Sequence, residues 1–172
     1  MRPTVDRRPS TGSHSRGFTL IELLTVIAII GILAGLIIVA AGSTRRVGRD
    51  RKRVADLKII QSALQAYIKE NNSIPARTGN CGSGWGCSYN TDFMSNLTPT
   101  YFRSTDEIPR DPTYPQRTYY YSYRLYTSGG GCQTPFYVLR AYLETSGISD
   151  AINDSSCWTG TNDNTTYIIV GR

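Results

Sequence analysis

Two hydrophobic patterns organise the first seventy residues. From Phe18 to Gly42 the side chains are apolar or absent except at Thr19, Glu22 and Thr25. About 25 residues at 1.5 Å each make a helix of roughly 37 Å, longer than the ~30 Å hydrocarbon core of a bilayer. A lone segment of this kind crosses lipid only as a helix, because lipid satisfies no backbone groups. From Thr44 to Glu70 the pattern becomes amphipathic. Val54, Leu57, Ile60, Leu64, Tyr67 and Ile68 recur at three- and four-residue steps, while Asp56, Lys58, Gln61, Gln65 and Lys69 take other faces. One continuous helix is predicted, its second part laying an apolar stripe on a globular domain. Asn71-Asn72-Ser73-Ile74-Pro75 stops it.

Beyond the helix the pattern shortens. Ile74 to Tyr89 reads as a Gly/Ser loop holding Cys81 and Cys87, and Thr91 to Leu97 as a short helix capped by Asn90 or Thr91. Thr118–Tyr126, Phe136–Glu144 and Thr166–Val170 are rich in aromatic and β-branched residues and predict strands. Ser128–Gly131 reads as a flexible turn between the first two. The fold class is therefore α+β, a long amino-terminal helix packed on a small antiparallel sheet. The crowded tyrosines at 119, 120, 121 and 123 read as sheet packing.

Charge and cysteines change the picture at two points. The net charge is +6, but Arg2, Arg7, Arg8 and Arg16 against Asp6 supply half of it before Phe18. A chain without that segment is only mildly basic, so a nucleic-acid partner is not expected. Arg45, Arg46, Arg49, Arg51, Lys52 and Arg53 follow the apolar run. They are expected to be solvated, to meet lipid headgroups, or to face a neighbouring subunit. By charge alone they hold the carboxy-terminal region in the cytoplasm. The four cysteines, Cys81, Cys87, Cys132 and Cys157, argue instead for two disulfides and an oxidising compartment. Zinc is disfavoured because Cys81 and Cys87 lack the short ligand spacing of structural zinc sites. The only histidine, His14, precedes the apolar run. If that segment is removed, Ser–His and Cys–His nucleophilic pairs and histidine metal sites are excluded; carboxylate or lysine chemistry is not, but nothing clusters to suggest it, and no enzyme is expected.

Arg16-Gly17-Phe18-Thr19-Leu20-Ile21-Glu22 resembles the processing site of type IV prepilins and of the pseudopilins of type II secretion. The likeness is strongest over Ser15 to Ala40. It implies that residues 1–17 are a cytoplasmic leader, removed by a prepilin peptidase that cuts after Gly17 and N-methylates Phe18. That placement resolves the orientation conflict in favour of the cysteines. Residues 18–42 are then the membrane and assembly helix, 43–72 its amphipathic continuation, and 73–172 an extracytoplasmic globular region. The resemblance further implies that Glu22 meets the amino terminus of a neighbouring subunit during assembly. Gly31 and Gly35 have the spacing that lets helices approach closely, which filament packing and chance both explain in so Ile- and Gly-rich a span.

A second, weaker likeness covers Leu97 to Pro112, whose "LTPTYFRSTDEIPRDP" is similar to the L-x-P-x-Y and P-x-D-P stretch after the pilin helix. Three cysteine pairings are open. The preferred one is Cys81–Cys87 with Cys132–Cys157, since pilins often staple the carboxy-terminal loop. Major pseudopilins carry a calcium loop near that end, and Asp150, Asp154 and Asp163 with Asn153, Asn162 and Asn164 could supply oxygen ligands. No fixed ligand spacing matches, so no cofactor is assigned. The leading expectation is a pilin that polymerises with itself into a type IV pilus. It would start as a single-pass protein of the inner (cytoplasmic) membrane, in contact with lipid and an assembly platform, and end in a periplasmic or extracellular filament. A pseudopilin of a secretion or DNA-uptake system is the first alternative. A membrane-anchored binding module that never polymerises is the second.

Overall fold

The computed structural model describes residues 17–127, 132, 134–147, 157 and 165–172, with the backbone alone at 38–41. Leader residues 1–16, the Ser128–Gly131 turn and the proposed calcium ligands lie outside the described residues. Helix α1 runs Leu20–Asn71, as the two hydrophobic patterns predict. The chain divides into two units, Met1–Ala41 and Gly42–Arg172. In the first, the helix exposes apolar side chains on every face, from Leu20 at 82% to Val26 at 51%.

In the second unit the amphipathic stripe is buried. Leu57, Ile60 and Leu64 are fully covered, and Val54, Tyr67 and Ile68 pack beside them. Full burial of each Leu or Ile contributes roughly 1.5–3 kcal/mol. What covers them is an antiparallel sheet in the order β1–β2–β3–β4: Gly86–Cys87, Tyr121–Tyr126, Phe136–Tyr142 and Thr166–Gly171. Tyr123 pairs with Leu139 and Leu139 with Ile169, so these three share a face. Strand alternation then places Tyr121, Tyr137, Ala141 and Tyr167 in the same core as the helix stripe. On the other face Phe136, Val138, Ile168 and Val170 form a second cluster with Cys157, flanked by Trp85, Tyr126 and Cys132.

Three local expectations are corrected. The segment 91–97 is mostly turn, with a short 3₁₀ helix at Ser95–Leu97. Its cap is Met94 in the left-handed region, φ 51°, without a side-chain bond. The Asn90 side chain donates instead to the carbonyls of Gly79 and Asn80, while Phe93 and Met94 are buried. Tertiary contacts thus override the cap signal. Strand β2 begins at Tyr121 rather than Thr118, because Tyr121 already pairs with Ala141, near the end of β3. Its N–H donates to the Ser88 hydroxyl. Strand β3 ends at Tyr142 because the N–H groups of Glu144 and Thr145 leave the ladder for the Asp50 carboxylate, at 2.9 Å each. The cysteine loop also supplies β1, which was not predicted. There Gly86 passes so close to the Thr78 carbonyl that a Cβ would collide with it.

Candidate functional site

The start of α1 is built by its own residues. Thr19 stands at the N-cap and Glu22 three residues on, the spacing of a capping box. The Glu22 N–H donates to the Thr19 hydroxyl at 3.3 Å. The Thr19 N–H and hydroxyl both donate to Glu22 Oε2, each at 2.8 Å. Oε2 therefore carries two hydrogen bonds, and Oε1 carries none among the described residues. The positive pole of the helix also favours a carboxylate here. Gly17 and Phe18 precede the helix and are exposed, Phe18 at 88%. The arrangement is an accessible peptide bond followed by a carboxylate turned toward the chain start, with one oxygen unused.

Gly31 and Gly35 lie one turn apart on the same helix, and a Cβ at either would meet nothing within 4 Å. Nothing among the described residues fills the notch they leave. The helix is long and apolar enough to cross a membrane. An uncovered apolar surface of this extent is stable only in lipid or against other apolar helices.

A second polar arrangement lies within the globular unit, at residues expected to be solvated. Arg53 is fully buried. Its Nε and Nη2 donate to the two Asp111 oxygens at 2.6 and 3.1 Å, and Nη1 to Asp50 at 2.6 Å. Nη1 also lies 2.8 Å from Glu144. Arg49 forks onto both Glu144 oxygens, with Nε at 2.6 Å from Oε1 and Nη2 on Oε2. The Tyr119 ring covers the Arg53 guanidinium at 4.6 Å. One arginine thus ties the helix to the loop carrying Asp111 and to the end of β3. Arg45, Arg46, Arg51 and Lys52 remain exposed, so only part of the basic run faces water. Asp56 departs from expectation too: it is buried and accepts a 2.7 Å bond from the Tyr121 hydroxyl.

The cluster titrates in a defined direction. The Arg49 guanidinium, aided by Arg53, pulls Glu144 down to about 2. Burial pushes Asp111 up, but its bonds to Arg53 and Thr113 outweigh this and its pKa is lowered. Carboxylates with depressed folded-state pKa values stabilise the fold above their unfolded values and lose that contribution as pH falls through the folded ones. Asp56 works the other way, since burial raises it. Thermal stability of the globular unit is expected to decline between about pH 4.5 and 2, and the decline to shrink in Glu144→Gln. Equal slopes for the two proteins in pH-dependent melting would refute this assignment.

Cys81 is bonded to Cys87 and Cys132 to Cys157, with Cα separations of 5.8 and 4.9 Å. No group of three or more potential metal-ligating side chains occurs among the described residues. Apolar periodicity does not point to Thr19 as the partner of Glu22, although threonine-x-x-glutamate spacing is the signal of a capping box. Arg53 has one local signal, Asp50 at i−3, but its other carboxylate partners, Asp111 and Glu144, are 58 and 91 positions away.

Residues 12–38 match the prokaryotic N-terminal methylation motif. The chain is similar to type II secretion system core protein G of Pectobacterium carotovorum subsp. carotovorum, 36% identical over 66 residues, or 38% of this chain and 42% of that protein. The protein of the same name from Escherichia coli K12 is 37% identical over 60 residues, covering 35% and 41%. That of Aeromonas hydrophila is 37% identical over 59 residues, covering 34% and 41%. The chain thus spans about two fifths of the length of these curated relatives. No solved structure matches it.

Proposed function

We propose that this chain, a member of the type IV pilin and pseudopilin family by its amino-terminal segment, is a structural pseudopilin subunit of a type II secretion system. The pilus reading, preferred on sequence, gives way because the similar proteins are type II secretion core subunits. The observation that carries the proposal is the Gly17–Phe18 bond standing exposed beside a capped, half-engaged Glu22.

In this reading the leader stays in the cytoplasm and a prepilin peptidase cuts after Gly17. The new Phe18 amine is N-methylated and keeps its positive charge. The apolar helix holds the subunit in the inner membrane, in contact with lipid and an assembly platform. Copies of the chain then transfer their helices from lipid to one another, using the notch at Gly31 and Gly35 for close approach. The globular unit lies on the periplasmic side, where both disulfides persist.

The test is to overproduce the chain with a secretion system lacking its own core subunit. Short sheared fibres are then examined by electron microscopy and mass spectrometry. Fibres whose subunit begins at methylated Phe18, together with restored export, are expected. Export that stays blocked while long surface pili form would return the reading to a pilus. Gly17→Arg, which puts a bulky charge at the cut, is expected to leave more than nine tenths of the protein as full-length precursor. A chain beginning at Phe18 in that variant would refute the cleavage site.

A further inference from the structure

The sheet face turned away from the helix carries two arginines among aromatic rings, Arg124 and Arg140, and a third, Arg117, lies in the bend before β2. The Arg140 guanidinium lies 4.1 Å from the Trp85 ring centroid and 4.7 Å from that of Tyr142. Its Nε donates to the Ser122 hydroxyl at 3.1 Å. Arg124 lies over Tyr126 at 4.6 Å and donates to the Ser83 carbonyl. Arg117 lies over Tyr89 at 4.9 Å. Among the described residues, none of the three has a carboxylate at ion-pairing distance. Beside Arg140 is a cavity of about 250 Å³ between the Cys81–Cys87 loop and the sheet. Trp85, Tyr120 and Arg140 line it, with Gly82 and Ser83 at its exposed rim.

We propose that this recess binds a uronate unit of an acidic polysaccharide. A guanidinium packed near two rings and tied by Nε to Ser122 has lost much of its rotamer freedom before a ligand arrives. Its Nη groups, unused among the described residues, form the fork that takes a carboxylate on two bonds. Trp85 and Tyr120 offer apolar surface to the body of a sugar ring, and the Ser83 hydroxyl and N–H offer partners to its hydroxyls. Pockets for drug-sized ligands begin near 300 Å³, so this one suits a single ring with its substituents. Single-stranded nucleic acid fits less well. Beyond the basic run at 45–53, residues 54–172, which include the sheet and the cysteine loop, hold nine basic side chains against ten acidic ones, too little positive charge to neutralise a run of phosphates. The sheet, the cysteine loop and the arginines belong to one unit, so the site does not depend on filament formation.

The test is calorimetric titration of the full chain in a non-ionic detergent without a sugar headgroup. The probes are linear tetramannuronate, neutral mannotetraose and a single-stranded DNA octamer. Saturable binding of the uronate is expected, at least tenfold tighter than either other probe. Arg140→Gln is expected to weaken it at least tenfold. Ser83→Asp, at an exposed rim position whose positive φ of 48° suits aspartate, is expected to do the same without touching the core. Circular dichroism checks that both variants fold. No saturable uronate binding, equal binding of the neutral sugar, tighter binding of DNA, or unchanged affinity in Ser83→Asp would each overturn the proposal.

Discussion

Arg53→Ala is expected to destabilise the globular unit by about 3–5 kcal/mol, the usual cost of removing one partner from a buried ion pair. Arg53 is fully buried and serves Asp50, Asp111 and Glu144 together. Alanine would leave three carboxylates converging on an empty site, with Arg49 reaching only Glu144. Asp50 would still hold the β3 end through Glu144 N–H and Thr145 N–H, so the elements would not simply separate. The loss should appear as a fall in melting temperature of roughly 10–20 °C for a unit of this size. Arg46→Ala, a few residues away but exposed, should change stability by no more than about 0.5 kcal/mol. Equal melting temperatures for Arg53→Ala and Arg46→Ala would remove the network from the account of stability. A burial penalty set against hydrogen bonds is also why Arg53 has a raised pKa: burial opposes its charge, and the three carboxylates more than offset it.

The contrast between Arg46 and Arg53 explains how much of the fold could be read in advance. Periodicity identifies a face only when the residues on it are apolar. Leu57, Ile60 and Leu64 repeat on one side of the helix, and their burial follows from spacing alone. Arg53 lies on the same buried side, four positions before Leu57, and a pattern of apolar residues cannot include it. Beyond Asp50 on the same helix, its partners come from a proline-marked loop and a strand end, contacts that only the tertiary fold creates. The P-x-D-P likeness did single out the stretch containing Asp111, but without saying what the aspartate bonds. Asp56 and Asn90 fail for the same reason. Each is polar, Asp56 off the apolar stripe and Asn90 a local cap candidate by sequence, and each is engaged by a residue outside its own element. The amino-terminal site is the opposite case. Thr19 and Glu22 are neighbours in sequence, so the contact between them is local and follows from their spacing.

Glu22→Leu is expected to leave the protein inserted and processed while cutting fibre yield below about a tenth of wild type. The leucine lengthens an apolar run that already suffices to span a bilayer, so insertion should not suffer. What it removes is the one acidic group in the apolar segment. A carboxylate and an amine ~4 Å apart attract by about 4 kcal/mol at an effective dielectric of 20, with desolvation subtracting from that gross figure. A net of only about 1.4 kcal/mol per subunit contact is already tenfold in an assembly equilibrium. Leucine also removes the capping box, worth roughly 0.5–2 kcal/mol to the helix start, so the single variant does not separate charge from cap. Two further variants do. Glu22→Gln keeps an acceptor for the Thr19 N–H and hydroxyl but loses the charge, and should fail to form fibres as leucine does. Thr19→Val keeps the charge and loses the hydroxyl partner, and should retain most of the yield. Mass spectrometry of all three should find chains beginning at methylated Phe18, which excludes a processing defect. Fibres from Glu22→Gln at wild-type yield would show that Glu22 serves its own helix, and that the oxygen left unbonded by Thr19 is not the one a neighbouring subunit needs.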